Sequence, residues 1–272
     1  MWRGKASKTF PWANCPERTI FPRQEASSEL DDEYLPPAYP MYLMSWCVVM
    51  GLKQMERHQD LRQAGHLKVW SKSMEGRVIY ITHEWLSVSH PDPDRVQLSS
   101  LQSLLERLAG GQIAVEADWK QRLVYKLADT VSGEHWEQVL PLCHFWLDYS
   151  SMPQPETPGP LPPLTAQEPL VGRAPTDSQG RVLCSIPAYV GRASLLLVLA
   201  PSARHRDDPQ RLCDLSTWRR RGWCRVETYC ALLSRARVRI LTCLGPDARA
   251  HFSGSNLSFC NPPGRGDFAC CE

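Results

Sequence analysis

No run in this 272-residue chain approaches the ~18 consecutive apolar residues that a membrane-spanning helix needs, so no partner membrane is expected. An excess of charge of either sign is also missing. Thirty-one Lys and Arg stand against 29 Asp and Glu, a net +2 that is too balanced to favour nucleic acid as a partner. The chain has no Gly-x-Gly-x-x-Gly and no P-loop lysine motif, so it lacks the phosphate cradle of ordinary dehydrogenases and NTPases. Zinc-type C-x2-C spacing is absent as well, although the chain holds eleven cysteines. Their number is odd, and Cys47, Cys143, Cys184, Cys230 and Cys243 lie inside apolar segments. They read as small buried hydrophobes of a reducing compartment, so a cytoplasmic location, no metal and no bound cofactor are expected. No apolar core follows Met1 to Lys8, and no secretory signal is read there. Without one, Asn256-Leu257-Ser258 and Arg265-Gly266-Asp267 carry little weight as extracellular motifs.

What remains is enough apolar residue, 43%, for one ordinary domain with additions. Residues 1–40 are rich in proline and charge and read as irregular. Over 41–76 the spacing of Met44, Val48, Leu52, Met55 and Leu61 predicts a helical N-terminal layer. An α/β domain is expected over 77–244. Its first strand is Arg77 to Thr82, followed by a helix carrying Leu98, Leu101, Leu104, Leu105 and Leu108 and closed by Gly110-Gly111. Val115 to Ala128 reads as an inserted helix, and Leu142 to Tyr149 as a second strand ending in an acid. Eight prolines between 150 and 175 exclude regular structure there. Pro187 sets the start of a short helix ending near Arg192. Strands follow at Ser194 to Ala200 and Val238 to Cys243, separated by a helix from Trp223 to Leu233. Alternating strands and helices imply a parallel sheet with right-handed crossovers. Residues 245–272 show no further strand-like run, which would leave the sheet one strand short and its edge open.

The most informative stretch is Arg221-Gly222-Trp223-Cys224-Arg225-Val226-Glu227, because it opens a helix after the apolar strand at Ser194 to Ala200. Loops leaving the carboxyl ends of parallel strands are where open α/β sheets bind ligands. Trp223 and Glu227 are four residues apart and share a helical face, so a carboxylate sits one turn from an indole. The plainer alternative is an exposed Glu227 paired with Arg221 or Arg225. By position, His83, Glu84 and Trp85 at the first strand end and Asp148 at the second border the same crevice.

Three blocks resemble the Toll/interleukin-1 receptor (TIR) homology family, in the divergent form found in algal and protist proteins. They are Val78 to His83, Phe145 to Pro153, and Trp223-Cys224-Arg225-Val226-Glu227, which matches the family's Trp-Cys-x-x-Glu motif after the third strand. The resemblance spans roughly 77–244 and implies a flavodoxin-like fold. It also implies either of two functions. One is an intracellular signalling domain in which Glu227 supports cleavage of the nicotinamide–ribose bond of NAD+, with His83, Glu84, Trp85, Asp148 and Trp223 binding the nucleotide. The other is a non-catalytic module that self-associates, or pairs with other TIR-like domains, through its surface. Departure of nicotinamide builds oxocarbenium character that a carboxylate stabilises. Glu84 is a departure, since many members carry a basic or aromatic residue there. Beside these, Arg219 to Arg221 could meet a pyrophosphate or form a solvated loop. His90 with Asp92 and Asp94 reads as a solvated helix cap rather than metal ligands.

Overall fold

The computed structural model describes residues 19–21, 36–117, 123, 130–155, 178–234, 238–253 and 262–268. In chain order it begins with β1 (Tyr42–Ser45), α1 (Trp46–Gly51), α2 (His58–Gln63), β2 (Leu67–Val69), β3 (Val78–His83) and α3 (Val96–Ala109). Next come β4 (Val115–Ala117), β5 (Thr130–Val131), α4 (Gly133–Val139), β6 (His144–Leu147), α5 (Asp148–Ser151) and α6 (Ser178–Arg192). The described part closes with β7 (Leu195–Leu199), β8 (Ala203–Arg204), β9 (Leu212–Cys213), α7 (Leu215–Trp218), α8 (Gly222–Leu233), β10 (Arg239–Cys243) and β11 (His251–Ser253).

The centre of the sheet is parallel because its strands are apolar on both faces, as helix-covered strands must be. All six residues of β3 and all five of β7 are buried. The parallel block runs β6-β3-β7-β10, with Tyr80 opposite both Trp146 and Leu196. Numbered by their place in the chain, these four strands lie in the order 2-1-3-4, which is compatible with a flavodoxin-like fold. Side chains alternate between two cores. Ile79, Ile81, Phe145, Leu147, Leu195 and Leu197 pack under α3 and Trp136. Val78, Tyr80, Trp146, Leu196, Val198 and Ile240 pack under α6 and α8. In α3 the leucine stripe is buried as its spacing requires. Asp92 caps this helix, its Oδ2 accepting from the Leu98 amide at 2.7 Å, and it does so from a buried position rather than a solvated one.

Four expectations need correction. The 41–76 segment is not a helical layer: two short helices lie between β1 and β2, and β1 pairs antiparallel with β6 and extends the sheet. A helical period was legible there because Met44 lies on a strand that runs directly into α1, so one stripe spans two element types. The sheet does not end at β10. Strand β11 pairs antiparallel with it, followed by β4 and β5, giving nine strands among the described residues. At the β2 margin the edge strand is very short, three residues. Helix α6 begins at Ser178, so Pro187 lies inside it. The lost amide bond is offset by burial of Val182, Ile186, Tyr189 and Val190 on the sheet. Finally, Cys47 and Cys184 are exposed, since they occupy the solvent faces of α1 and α6. Most of the irregular 1–40 segment, of the inserted helix at 115–128 and of the proline-rich segment lies outside the described residues, as do parts of the tail.

Among the described residues no helix is long and apolar enough to cross a membrane.

Candidate functional site

Strand β3 carries the site because its alternation sends successive side chains to opposite faces. Tyr80 and Thr82 point toward α8, whereas His83 points toward α3. On the α8 face, Tyr80 stacks on Trp146 with ring centroids 4.2 Å apart and planes 13° from parallel. This stack aims the Tyr80 hydroxyl at Glu227, which accepts its hydrogen bond on Oε1 at 2.8 Å. Glu227 is 8% exposed, so the alternative of an exposed glutamate paired with a neighbouring arginine is excluded. Burial raises its pKa to about 7, against hydrogen bonds from Thr82 and Tyr80 that favour the carboxylate. The Asp148 charge raises it further, and the His83 charge opposes that. Burial and the Glu227 charge push the Tyr80 phenol well above its ordinary value, so it remains a donor.

On the α3 face, His83 and Trp85 converge on Asp148 at the start of α5. His83 Nε2 lies 2.8 Å from Asp148 Oδ1, and Trp85 Nε1 donates to Oδ2 at 2.8 Å. The Tyr149 amide adds a third donor, to Oδ1 at 2.6 Å. Burial disfavours the imidazolium, but Asp148 and Gln97 outweigh it and raise the His83 pKa to about 9. For Asp148, burial is outweighed by the His83 charge and the three donors, which hold its carboxyl below the ordinary value. The Asp148 side chain keeps 26% exposure, so this network reaches the surface through its acid.

The structure therefore joins His83, Trp85 and Asp148 in one network, with Glu227 in its electrostatic field across the end of β3. Glu84 and Trp223 lie otherwise. Glu84 is buried and its carboxylate is taken up by Arg211 at 2.6 Å and by the Thr217 hydroxyl at 2.6 Å. Its charge is therefore compensated within the fold. Trp223 is half-buried and meets Phe268 edge-on at 5.7 Å. The buried indole beside this helix start belongs to Trp218, which donates to Thr82 Oγ1 at 3.2 Å. At the first turn of α8, a Cβ on Gly222 would fall 2.6 Å from the Phe268 ring, which would have to move aside. Arg265-Gly266-Asp267 forms part of the same clasp: the Gly222 amide donates to the Asp267 carbonyl at 2.7 Å and the Asp267 amide to the Arg220 carbonyl at 2.8 Å. Of the three arginines considered for pyrophosphate, Arg220 faces an exposed Asp267 at 3.8 Å. The arginine that reaches the strand end is Arg211, and Tyr80, Thr82, Gln97, Arg211, Thr217 and Trp218 all escape a reading by local spacing. No protein-family model matches the chain, and no curated protein or solved structure matches it either.

Proposed function

We propose that this chain is a TIR-like domain that hydrolyses NAD+ at the nicotinamide–ribose bond, with Glu227 as the working carboxylate. One observation carries the reading: Glu227 is buried against the parallel strand β3, held by Tyr80, with a pKa near neutrality. Nicotinamide in NAD+ is a pyridinium, so it leaves as a neutral molecule when the N-glycosidic electron pair returns to its ring nitrogen. No acid is needed for that step. Ionised Glu227 stabilises the positive charge that develops on the ribose, then accepts the proton of the water that attacks its anomeric carbon. The products are nicotinamide and ADP-ribose, and the proton returns to solvent from Glu227. Asp148 and Trp85, at the mouth of the α3-side network, supply an acceptor and an aromatic edge to the same nucleotide.

The burial of Glu227 also favours a second reading, in which Tyr80 and Glu227 are a structural pair and the domain acts by self-association or by pairing with similar domains in intracellular signalling. One experiment separates them. Concentrated full-length chain is incubated with NAD+ and nicotinamide release is followed by chromatography. The catalytic reading requires release that falls at least about a hundredfold in Glu227→Gln, a loss of the size expected for a positioned acid–base group. Release that is unchanged in Glu227→Gln overturns it. Absence of release, together with concentration-dependent association in sedimentation, selects the interaction module.

A further inference from the structure

We propose that Gln97 is a positioning residue that fixes a proton on His83 Nδ1, so that His83 stands as a buried imidazolium and Asp148 as a permanently ionised acceptor at the mouth of the crevice. The inference rests on hydrogen-bond polarity. Gln97 Nε2 donates to the Glu84 carbonyl at 2.6 Å, and a carbonyl can only accept. That bond settles the orientation of the amide, leaving Oε1 as the end that faces His83 Nδ1 at 2.6 Å. An amide oxygen cannot donate, so Nδ1 must carry a hydrogen.

The second ring nitrogen then has two possible partners in charge: Nε2–H⁺ against a carboxylate, or bare Nε2 against a protonated carboxyl. Asp148 already receives the Trp85 indole and the Tyr149 amide, both of which can only donate and both of which favour the anion. In water the imidazole binds its proton more tightly than a carboxylate by about 2.6 pH units, and these donors widen the gap. The proton therefore resides on His83. The negative charge of Glu227 works on His83 in the same direction. His83 is thus unavailable as a general base. Its service is to neutralise Asp148 from behind, and Gln97 on α3 secures that service from a position 14 residues away in the chain. The Asp148 side chain, with Trp85 on its Oδ2, remains 26% exposed.

The inference concerns the crevice assigned to NAD+ cleavage and deepens that assignment, but it is read on His83 itself, so each can fail without the other. The measurement is a pH series of histidine ring 15N–1H spectra of the full chain, with His83 assigned by the loss of its signals in His83→Asn. At pH 7.5 both ring nitrogens of His83 are expected to be protonated. In Gln97→Leu the proton affinity of His83 falls at least about tenfold, whereas Gln97→Glu, which keeps an acceptor for Nδ1, holds or raises it. A merely structural glutamine would destabilise the fold in both variants without separating their titrations. A neutral His83 at pH 7.5 in the wild type overturns the proposal, as does an unchanged titration in Gln97→Leu. If Gln97→Leu does not fold, the wild-type spectrum still decides between the two protonation states.

Discussion

Replacing Glu227 by Gln is expected to make the protein more stable at alkaline pH. The ordinary carboxyl pKa of 4.5 applies to the unfolded chain, whereas the folded value is about 7. Between those values the folded state holds a proton that the unfolded state has released. Stability contributed by this group is therefore fully present below about pH 4.5 and is lost as pH rises to about 7. The gap of about 2.5 pH units, at roughly 1.4 kcal/mol each, corresponds to about 3–4 kcal/mol. Glutamine keeps an acceptor for the Tyr80 hydroxyl and cannot ionise, so Glu227→Gln escapes that loss. His83 acts in the same direction at higher pH: its folded pKa of about 9 exceeds the ordinary 6.5, so its contribution is present below 6.5 and disappears towards 9. Comparing wild type with Glu227→Gln at each pH cancels most of the His83 contribution. Urea unfolding at pH 5 and pH 8, followed by tryptophan fluorescence, measures the difference. The variant should gain about 2–3 kcal/mol on the wild type over that interval. An equal pH response in both proteins would show that Glu227 is ionised in the fold at no cost, and the buried, proton-holding site described above would be wrong.

Tyr80→Phe removes one of the donors that favour the ionised carboxylate, so the Glu227 titration moves upward. The alkaline-side rise of nicotinamide release should shift to higher pH with it, and a profile identical to wild type would refute the hydrogen bond's role. Arg211→Ala leaves the buried Glu84 carboxylate with Thr217 and should cost about 2–3 kcal/mol in urea unfolding, the low side for a broken buried ion pair because Arg211 is itself 22% exposed. Adding Glu84→Gln should recover part of that loss, and a purely additive double variant would argue against direct coupling.

The central strands were legible because fully buried parallel strands are written as continuous apolar runs, and Leu195–Leu199 has no other comfortable place in a folded chain. Helices α3 and α8 were legible for a related reason, their apolar stripes and the glycines that bound them. The three-residue β11 was not, since His251-Phe252-Ser253 is too short to display a period and is recruited by its partner rather than by its own pattern. At the site, the positions of His83, Trp85, Asp148 and Glu227 followed from strand ends and one motif. Their partners did not. Tyr80 meets Glu227 across 147 positions and Arg211 meets Glu84 across 127, and separations of that size leave no trace in local spacing. Glu84 and Trp223 show the same limit from the other side: position brought them near the crevice, but tertiary partners claimed the carboxylate of one and the ring of the other.

The very short edge strand β2 has a consequence for how copies of this chain can meet. A β-sheet grows by adding strands where backbone amides and carbonyls stand unpaired in a row, and the length of that row sets how firmly a newcomer is held. Strand β2, three residues long, offers too short a row at its margin to recruit a strand from another molecule. An assembly at that margin must then be built from helix faces and loops, through side-chain complementarity that single substitutions can abolish. Such contacts can form and dissolve with concentration, whereas an open edge would favour irreversible fibres.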